Sequence, residues 1–126
     1  IHFKGPFFLT QRLLPLIQNG GRILNVSSGL ARFALPGYAA YASMKGAELG
    51  ERGISVNIIA PGAIETDFGG GRLRDNKELN AYVASQTALG RAGLPDDIGD
   101  AIAALLSDEL AWMTAQRIEV SGGMFL

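Results

Sequence analysis

The chain has 126 residues, 48% of them hydrophobic, with a formal net charge of −1, no cysteine and one histidine. That length and apolar content suit one domain with a sizeable core, and the balanced charge argues against a nucleic-acid partner. Without thiols there are no disulfides or thiolate metal sites, and a single imidazole is too few for an ordinary zinc site, so no metal is expected.

No apolar run approaches the roughly 20 residues of a membrane helix, and no signal-peptide pattern opens the chain. The expected setting is soluble and cytoplasmic, with no membrane partner. Ile1 is not an initiator methionine and His2-Phe3-Lys4-Gly5 opens inside a helical pattern, so the sequence is expected to begin within a longer protein.

Phe7, Phe8, Leu9, Leu13, Leu14, Leu16 and Ile17 recur on one broad helical face opposite Gln11, Arg12 and Gln18. Pro15 is expected to kink the last turn, and Asn19-Gly20-Gly21 ends the helix with residues that tolerate positive φ. Arg22 to Val26 is a short apolar run bounded by turns, the pattern of a central parallel strand. Gly29 to Gly37 reads as a loop over the mouth of the sheet, where Leu30, Phe33 and Leu35 either wall a pocket or simply cover the sheet end. Tyr38 to Leu49 is helix-compatible, and Ile54 to Ala60 is a second buried strand closed by Pro61-Gly62, where proline stops the ladder and glycine lets the backbone turn sharply.

Asp67 to Pro95 is a long, charged, Gly-rich insert with Phe68-Gly69-Gly70-Gly71 as a hinge. Asp75 or Asn76 caps a short helix through about Gln86, with Leu79, Tyr82 and Val83 as its apolar stripe. Inserts of this kind are lids or binding loops, although the same stripe also fits a contact with another subunit. Pro95-Asp96-Asp97 starts a last helix whose Ile98, Ile102, Leu105 and Leu106 bury one face, and Gln116 to Val120 is a final strand. Strands alternating with helices imply an α/β fold with a parallel, doubly wound sheet.

Chemistry concentrates between Asn25 and Lys45. Ser28 falls at the carboxyl end of the first strand, where open α/β sheets place ligands. Twelve residues separate it from Tyr41, and Lys45 follows four residues after the tyrosine. On a helix Tyr41 and Lys45 share a face about one turn apart. The ammonium then draws the phenol pKa down from about 10 towards working pH, making it a proton donor or acceptor. Ser28 can hydrogen-bond the same substrate oxygen, which gives a carbonyl/alcohol proton-transfer site. The plain alternatives are a core tyrosine, a solvated helix lysine and an ordinary strand-end proline-glycine.

The Ser28, Tyr41-x-x-x-Lys45 spacing resembles the short-chain dehydrogenase/reductase family, as does Asn57-Ile58-Ile59-Ala60-Pro61-Gly62-Ala63-Ile64-Glu65-Thr66-Asp67. The resemblance runs from Phe3-Lys4-Gly5 to Ser121-Gly122-Gly123. It implies that residues 1–126 are the C-terminal part of a single Rossmann-type domain, incomplete because the N-terminal βαβ half is absent, with the insert at 67–95 as substrate loop.

It also implies an NAD(P)-dependent oxidoreductase similar to 3-oxoacyl-carrier-protein reductases. Ser28, Tyr41 and Lys45 would be catalytic, Lys45 also bonding the nicotinamide ribose. Tyr41, Lys45, Pro61, Gly62, Ile64 and Thr66 would bind the cofactor, the nicotinamide carboxamide meeting the Ile64 backbone and the Thr66 hydroxyl. Tyr38 is the non-catalytic control. NADP is favoured over NAD, the substrate is a small carbonyl or alcohol, and a homodimer or homotetramer is implied. The alternative is a non-catalytic binding or regulatory module that keeps the fold.

The sequence departs from this pattern in three places. His2 stands where many relatives have an asparagine that holds a relay water; it is either structural or a substitute ligand for that water. Thr114-Ala115 and Ser121-Gly122-Gly123 replace the usual Thr-Gly and Asp-Gly-Gly. Finally, about 12 residues of helix at 1.5 Å each give only about 18 Å for a crossover that must run back along the sheet. Roughly three turns are expected to be missing between about Gly46 and Glu51, most readily at Ala47/Glu48, where a Cα step well beyond 3.8 Å would mark the gap.

Overall fold

The structure, a computed structural model, describes residues 4–28 and 49–125. Three strands, β1 (Arg22–Val26), β2 (Ser55–Pro61) and β3 (Arg117–Val120), form a parallel sheet in that spatial order. The register pairs Arg22 with Ser55 and Val26 with Ile59, then Ile58 with Arg117 and Pro61 with Val120. With a neighbour on each side, β2 is the sequence stretch that most needs an unbroken apolar run. Ile58, Ile59 and Ala60 are buried, Ile59 completely.

β1, whose run reads as a central strand, has β2 on one side and no second strand among the described residues on the other. Its Ile23 and Leu24 are half-buried and Val26 is 65% exposed.

Helix α1 (Lys4–Leu13) precedes β1. The expected kinked continuation to Ile17 is instead a 3-10 turn, Leu14–Leu16, carrying Pro15 in its first positions. Proline removes an i to i−4 hydrogen bond and crowds the preceding turn, so the α-helix stops and the chain tightens. Arg52 ties this turn down. Its Nη1 donates to Leu14 O at 3.0 Å and its Nη2 to Ile17 O, while Nε reaches Asn19 Oδ1 at 3.1 Å. Gly20 N donates to Arg52 O at 2.9 Å with Gly20 at φ +76°, and Ser55 N donates to Gly21 O at 3.2 Å. The turn entering β1 is thus tied to the turn entering β2, and the strand starts are aligned by one guanidinium.

Between β2 and β3 come α2 (Arg72–Asp75), α3 (Lys77–Ser85) and α4 (Pro95–Leu105), then a 3-10 turn at Asp108–Leu110. The expected cap of α3 is Asn76, whose side chain accepts from Leu79 N at 2.9 Å. Asn76→Ala is expected to cost about 1 kcal/mol of stability, read as a lower denaturation midpoint; an unchanged midpoint would mean that the cap carries nothing. Of the α3 stripe, Val83 is buried and Leu79 half-buried, while Tyr82 is exposed. On α4 Leu105 is buried and Ile98 and Ile102 are half-buried. Leu106 does not join them: it lies past the last helical residue, as the C-cap, and is 40% exposed.

Just before β3 the buried Asn57 of β2 acts as a staple. Its Nδ2 donates to Met113 O at 2.9 Å and its Oδ1 accepts from Gln116 N at 3.1 Å. Both halves of a buried amide are satisfied, so the polar side chain costs the core little.

Candidate functional site

In a parallel sheet every strand presents its carboxyl end on the same edge. From the pairing of Val26 with Ile59, Ser28 and Pro61 each lie two residues further along, side by side at that edge. Ser27 continues the ladder, its N–H donating to Ile59 O at 2.8 Å. Ser27 is half-buried and Ser28 exposed, and the Ser28 carbonyl is 3.4 Å from Arg117 Nη2. Tyr41, Lys45 and His2 lie outside the described residues, as do the loop Gly29 to Gly37 and the point near Ala47/Glu48 where the helix was expected to be shortened.

The turn after β2 is described in full. Gly62 N donates to Val120 O at 3.0 Å, and a Cβ on Gly62 would lie 2.7 Å from both Cα and Cβ of Ser121. The glycine is there because two main chains touch. Gly62→Ala is expected to push the ends of β2 and β3 apart at a cost of about 2 kcal/mol, in the range of overpacked sites. A denaturant titration would check this, and wild-type stability in the variant would show that the contact yields freely.

Ser121 donates from Oγ to Glu119 Oε1 at 2.9 Å, and Glu119 Oε2 lies 3.6 Å from Arg117 Nη1. Arg117 thus reaches both Glu119 and the Ser28 carbonyl.

Ile64 is held by a bridge that leaves its own peptide groups unused. Gly93 N donates to Ala63 O at 3.0 Å and Glu65 N donates to Gly93 O at 2.9 Å. In a parallel bridge these bonds come from the residues flanking Ile64, so the Ile64 N–H and carbonyl point to the other side. That is the geometry a backbone donor-acceptor pair needs to meet a carboxamide. Thr66 Oγ1 accepts from Phe68 N at 3.2 Å; a hydroxyl that accepts in this way still has its proton to donate.

The turn is also tied to the insert. Asn80 of α3 donates to Glu65 Oε1 at 2.6 Å and to Leu73 O at 3.2 Å, and Arg74 pairs with Asp67 and with Asp75, the latter at 2.7 Å. At the expected hinge Gly69, Gly70 and Gly71 all take positive φ, at 64°, 75° and 72°, a run that only glycine adopts without strain, and Gly70 and Gly71 N both donate to Asp67 O. Phe68 beside it is 93% exposed.

Behind the turn lies a cavity of about 170 Å³ whose lining includes Ile64, Leu89, Arg91, Asp97 and Val120. Arg91 grips Asp97 with both prongs, Nη1 to Oδ2 at 2.7 Å and Nη2 to Oδ1 at 2.8 Å. The hydrogen bonds from Arg91 and then from Leu94 N hold the Asp97 carboxyl far below its usual range, and Arg91 is raised in turn. Sequence reasoning reads Asp97 only as a charge at a helix start and does not single out Arg91, Gly93 or the Asn57 staple. An acid at the third helical position, beside a preceding proline, was the signal for the cap. Among the described residues no group of His, Cys, Asp or Glu is arranged to hold a metal, and no helix is long and apolar enough to cross a membrane.

A parallel α/β sheet with its polar, glycine-bearing turns gathered at the carboxyl edge belongs to the doubly wound class, which binds ligands there. The chain belongs to the short-chain dehydrogenase/reductase family: the family model described as enoyl-(acyl carrier protein) reductase matches residues 1–125.

Among its relatives, the 3-oxoacyl-(acyl-carrier-protein) reductase FabG of Rickettsia conorii is 34% identical over 100% of this chain and 56% of its own length. That alignment occupies 138 positions against 126 residues here, so at 138 − 126 = 12 positions the relative has a residue and this chain has none. Among solved structures, the angucycline C-6 ketoreductase LanV with bound NADP is 34% identical with a TM-score of 0.81, covering 97% of this chain and 50% of that one. The landomycin C-6 ketoreductase LanV with NADP and rabelomycin is 33% identical with a TM-score of 0.74, covering 97% and 49%. The chain thus spans about half the length of the proteins it matches, and the fold it carries is the corresponding portion of the Rossmann-like sheet.

Proposed function

We propose that the protein to which this chain belongs is an NAD(P)-dependent oxidoreductase that moves hydride between a nicotinamide cofactor and a carbonyl or secondary alcohol. The observation that carries the reading is the peptide of Ile64, with both its hydrogen-bonding groups turned away from the Gly93 bridge, one strand across from Ser28 at the carboxyl edge. Family membership supports it, as do the reductase names of relatives and the NADP in the LanV structure.

In this reading Pro61 and Gly62 make the bend that lets the cofactor approach. Ile64 N–H and carbonyl bond the nicotinamide carboxamide, and the Thr66 hydroxyl donates to its oxygen while accepting from Phe68 N. The cofactor supplies or takes the hydride. Ser28 holds the substrate oxygen, and Tyr41 gives or takes that oxygen's proton. Lys45 lowers the phenol pKa and bonds the nicotinamide ribose. The insert from Asp67 to Pro95, hinged at Gly69 to Gly71, closes over a small carbonyl substrate, with the exposed Phe68 at its base. NADP is the favoured cofactor, and a homodimer or homotetramer is the proposed assembly.

The test is consumption of NADPH, and separately of NADH, by the full-length protein in the presence of ketones and 3-oxoacyl thioesters. Carbonyl-dependent oxidation of NADPH is expected. A protein that binds either cofactor tightly yet oxidises neither with any carbonyl would instead be a binding or regulatory module on the same fold.

A further inference from the structure

We propose that Arg91 and Asp97 are positioning residues for the cofactor turn, their ion pair holding Gly93 against the main chain on either side of Ile64. The inference rests on the oxidoreductase reading for its purpose and on the hydrogen bonds for its mechanics. Residues 91–97 form a closed loop of contacts. Arg91 Nη1 donates to Ala92 O at 2.9 Å as well as to Asp97, and Asp97 Oδ2 accepts from Leu94 N at 2.7 Å. Asp97 N in turn donates to Leu94 O at 3.1 Å. The guanidinium and carboxylate therefore fix the peptides on both sides of Gly93, before it through Ala92 and after it through Leu94.

Gly93 is the only residue of this segment that touches the cofactor turn through a bridge, and it does so at very close range. A Cβ there would come within 2.4 Å of Ile64 Cδ1. The bare backbone of Gly93 bonds Ala63 and Glu65, and those two bonds decide the rotation of the Ile64 peptides between them. A two-pronged pair suits this task better than a lysine would, because the planar guanidinium meets both carboxylate oxygens in one orientation. The pair is open to solvent, so its role is geometric and it adds little to global stability.

Three variants of the full-length protein test this: Asp97→Asn, which keeps an acceptor for Leu94 N but loses the charge; Arg91→Lys, which keeps charge but loses the fork; and Gly93→Ala, which presses on Ile64 directly. Amide hydrogen exchange at Glu65 and Gly93 is expected to speed up about tenfold in the first two, with Ile59 unchanged, because local opening and global unfolding are separable. NADPH affinity should fall about tenfold in all three while affinity for 2′-phospho-ADP-ribose, which lacks the nicotinamide, stays put. A merely structural role would weaken both ligands together or neither.

Unchanged exchange at Glu65 and Gly93 in both Asp97→Asn and Arg91→Lys would overturn the clamp. So would faster exchange with NADPH binding unaltered. Wild-type protein that binds neither NADPH nor NADH would overturn the oxidoreductase reading itself, whatever the exchange rates say.

Discussion

Replacing Tyr41 by phenylalanine in the full-length protein is expected to lower carbonyl-dependent turnover by about 10²- to 10⁴-fold, the usual worth of a positioned general acid/base, while NADPH binds within about twofold of wild type. The substitution keeps the aromatic ring; what would disappear, on the proposed reading, is the oxygen that hands a proton to the substrate oxygen. Ser28 could still hold that oxygen but would not replace the phenol, since an alcohol is a far weaker acid than a phenol. On the same reading Lys45 would carry part of the effect, because a positive charge beside a phenol stabilises phenolate. Tyr38→Phe and Tyr82→Phe are the controls and should retain turnover. Steady-state rates and cofactor titrations on the three variants decide the matter, and a Tyr41→Phe protein that turns over normally would remove the proton-transfer role altogether.

The largest stability effect is expected at Ile59. It sits in the middle strand with no exposed surface, and its neighbours on both sides are fixed by main-chain pairing to Val26 and Ile118. Ile59→Ala removes buried carbon and leaves a cavity that a sheet paired on both edges has little freedom to close, so about 3 kcal/mol should be lost. Val26→Ala, at the exposed end of β1, should cost less than about 0.5 kcal/mol. Chemical denaturation of the two variants gives the comparison directly, and a loss below about 1 kcal/mol at Ile59 would mean the core is elsewhere.

What the sequence made legible is local. The three strands follow from short apolar runs between turns, and Asn76 from its capping position. Pro61 does not stop the ladder as expected: it is the last residue of β2, paired with Val120, and Gly62 N still donates to Val120 O, because a proline at a strand end loses only its own N–H bond. Pattern alone makes Pro15 a kink; in the structure it lies in a tighter 3-10 turn, because a proline near a helix end is more easily accommodated by ending the helix than by bending it. Spacing places Leu106 on the buried face of α4, but spacing holds only while the helix lasts.

The illegible part is nonlocal. Asn57 could be recognised as a letter in a familiar run, yet what it bonds lies 56 and 59 residues away. The partnership of Gly93 with Ile64 has no sequence signature, since any glycine serves a turn equally well until a second chain segment is laid against it. Of the expected site, Ser28 follows the end of β1 by two residues, Pro61 ends β2, and Gly62, Ile64 and Thr66 follow it in the chain, whereas Tyr41 and Lys45 lie outside the described residues.

Arg52 settles strand alignment at the rim opposite the one where Ser28 and Ile64 emerge. The offset of β1 against β2 is therefore anchored away from that edge. Side chains and loop lengths at the carboxyl edge can be exchanged with little risk to the sheet beneath.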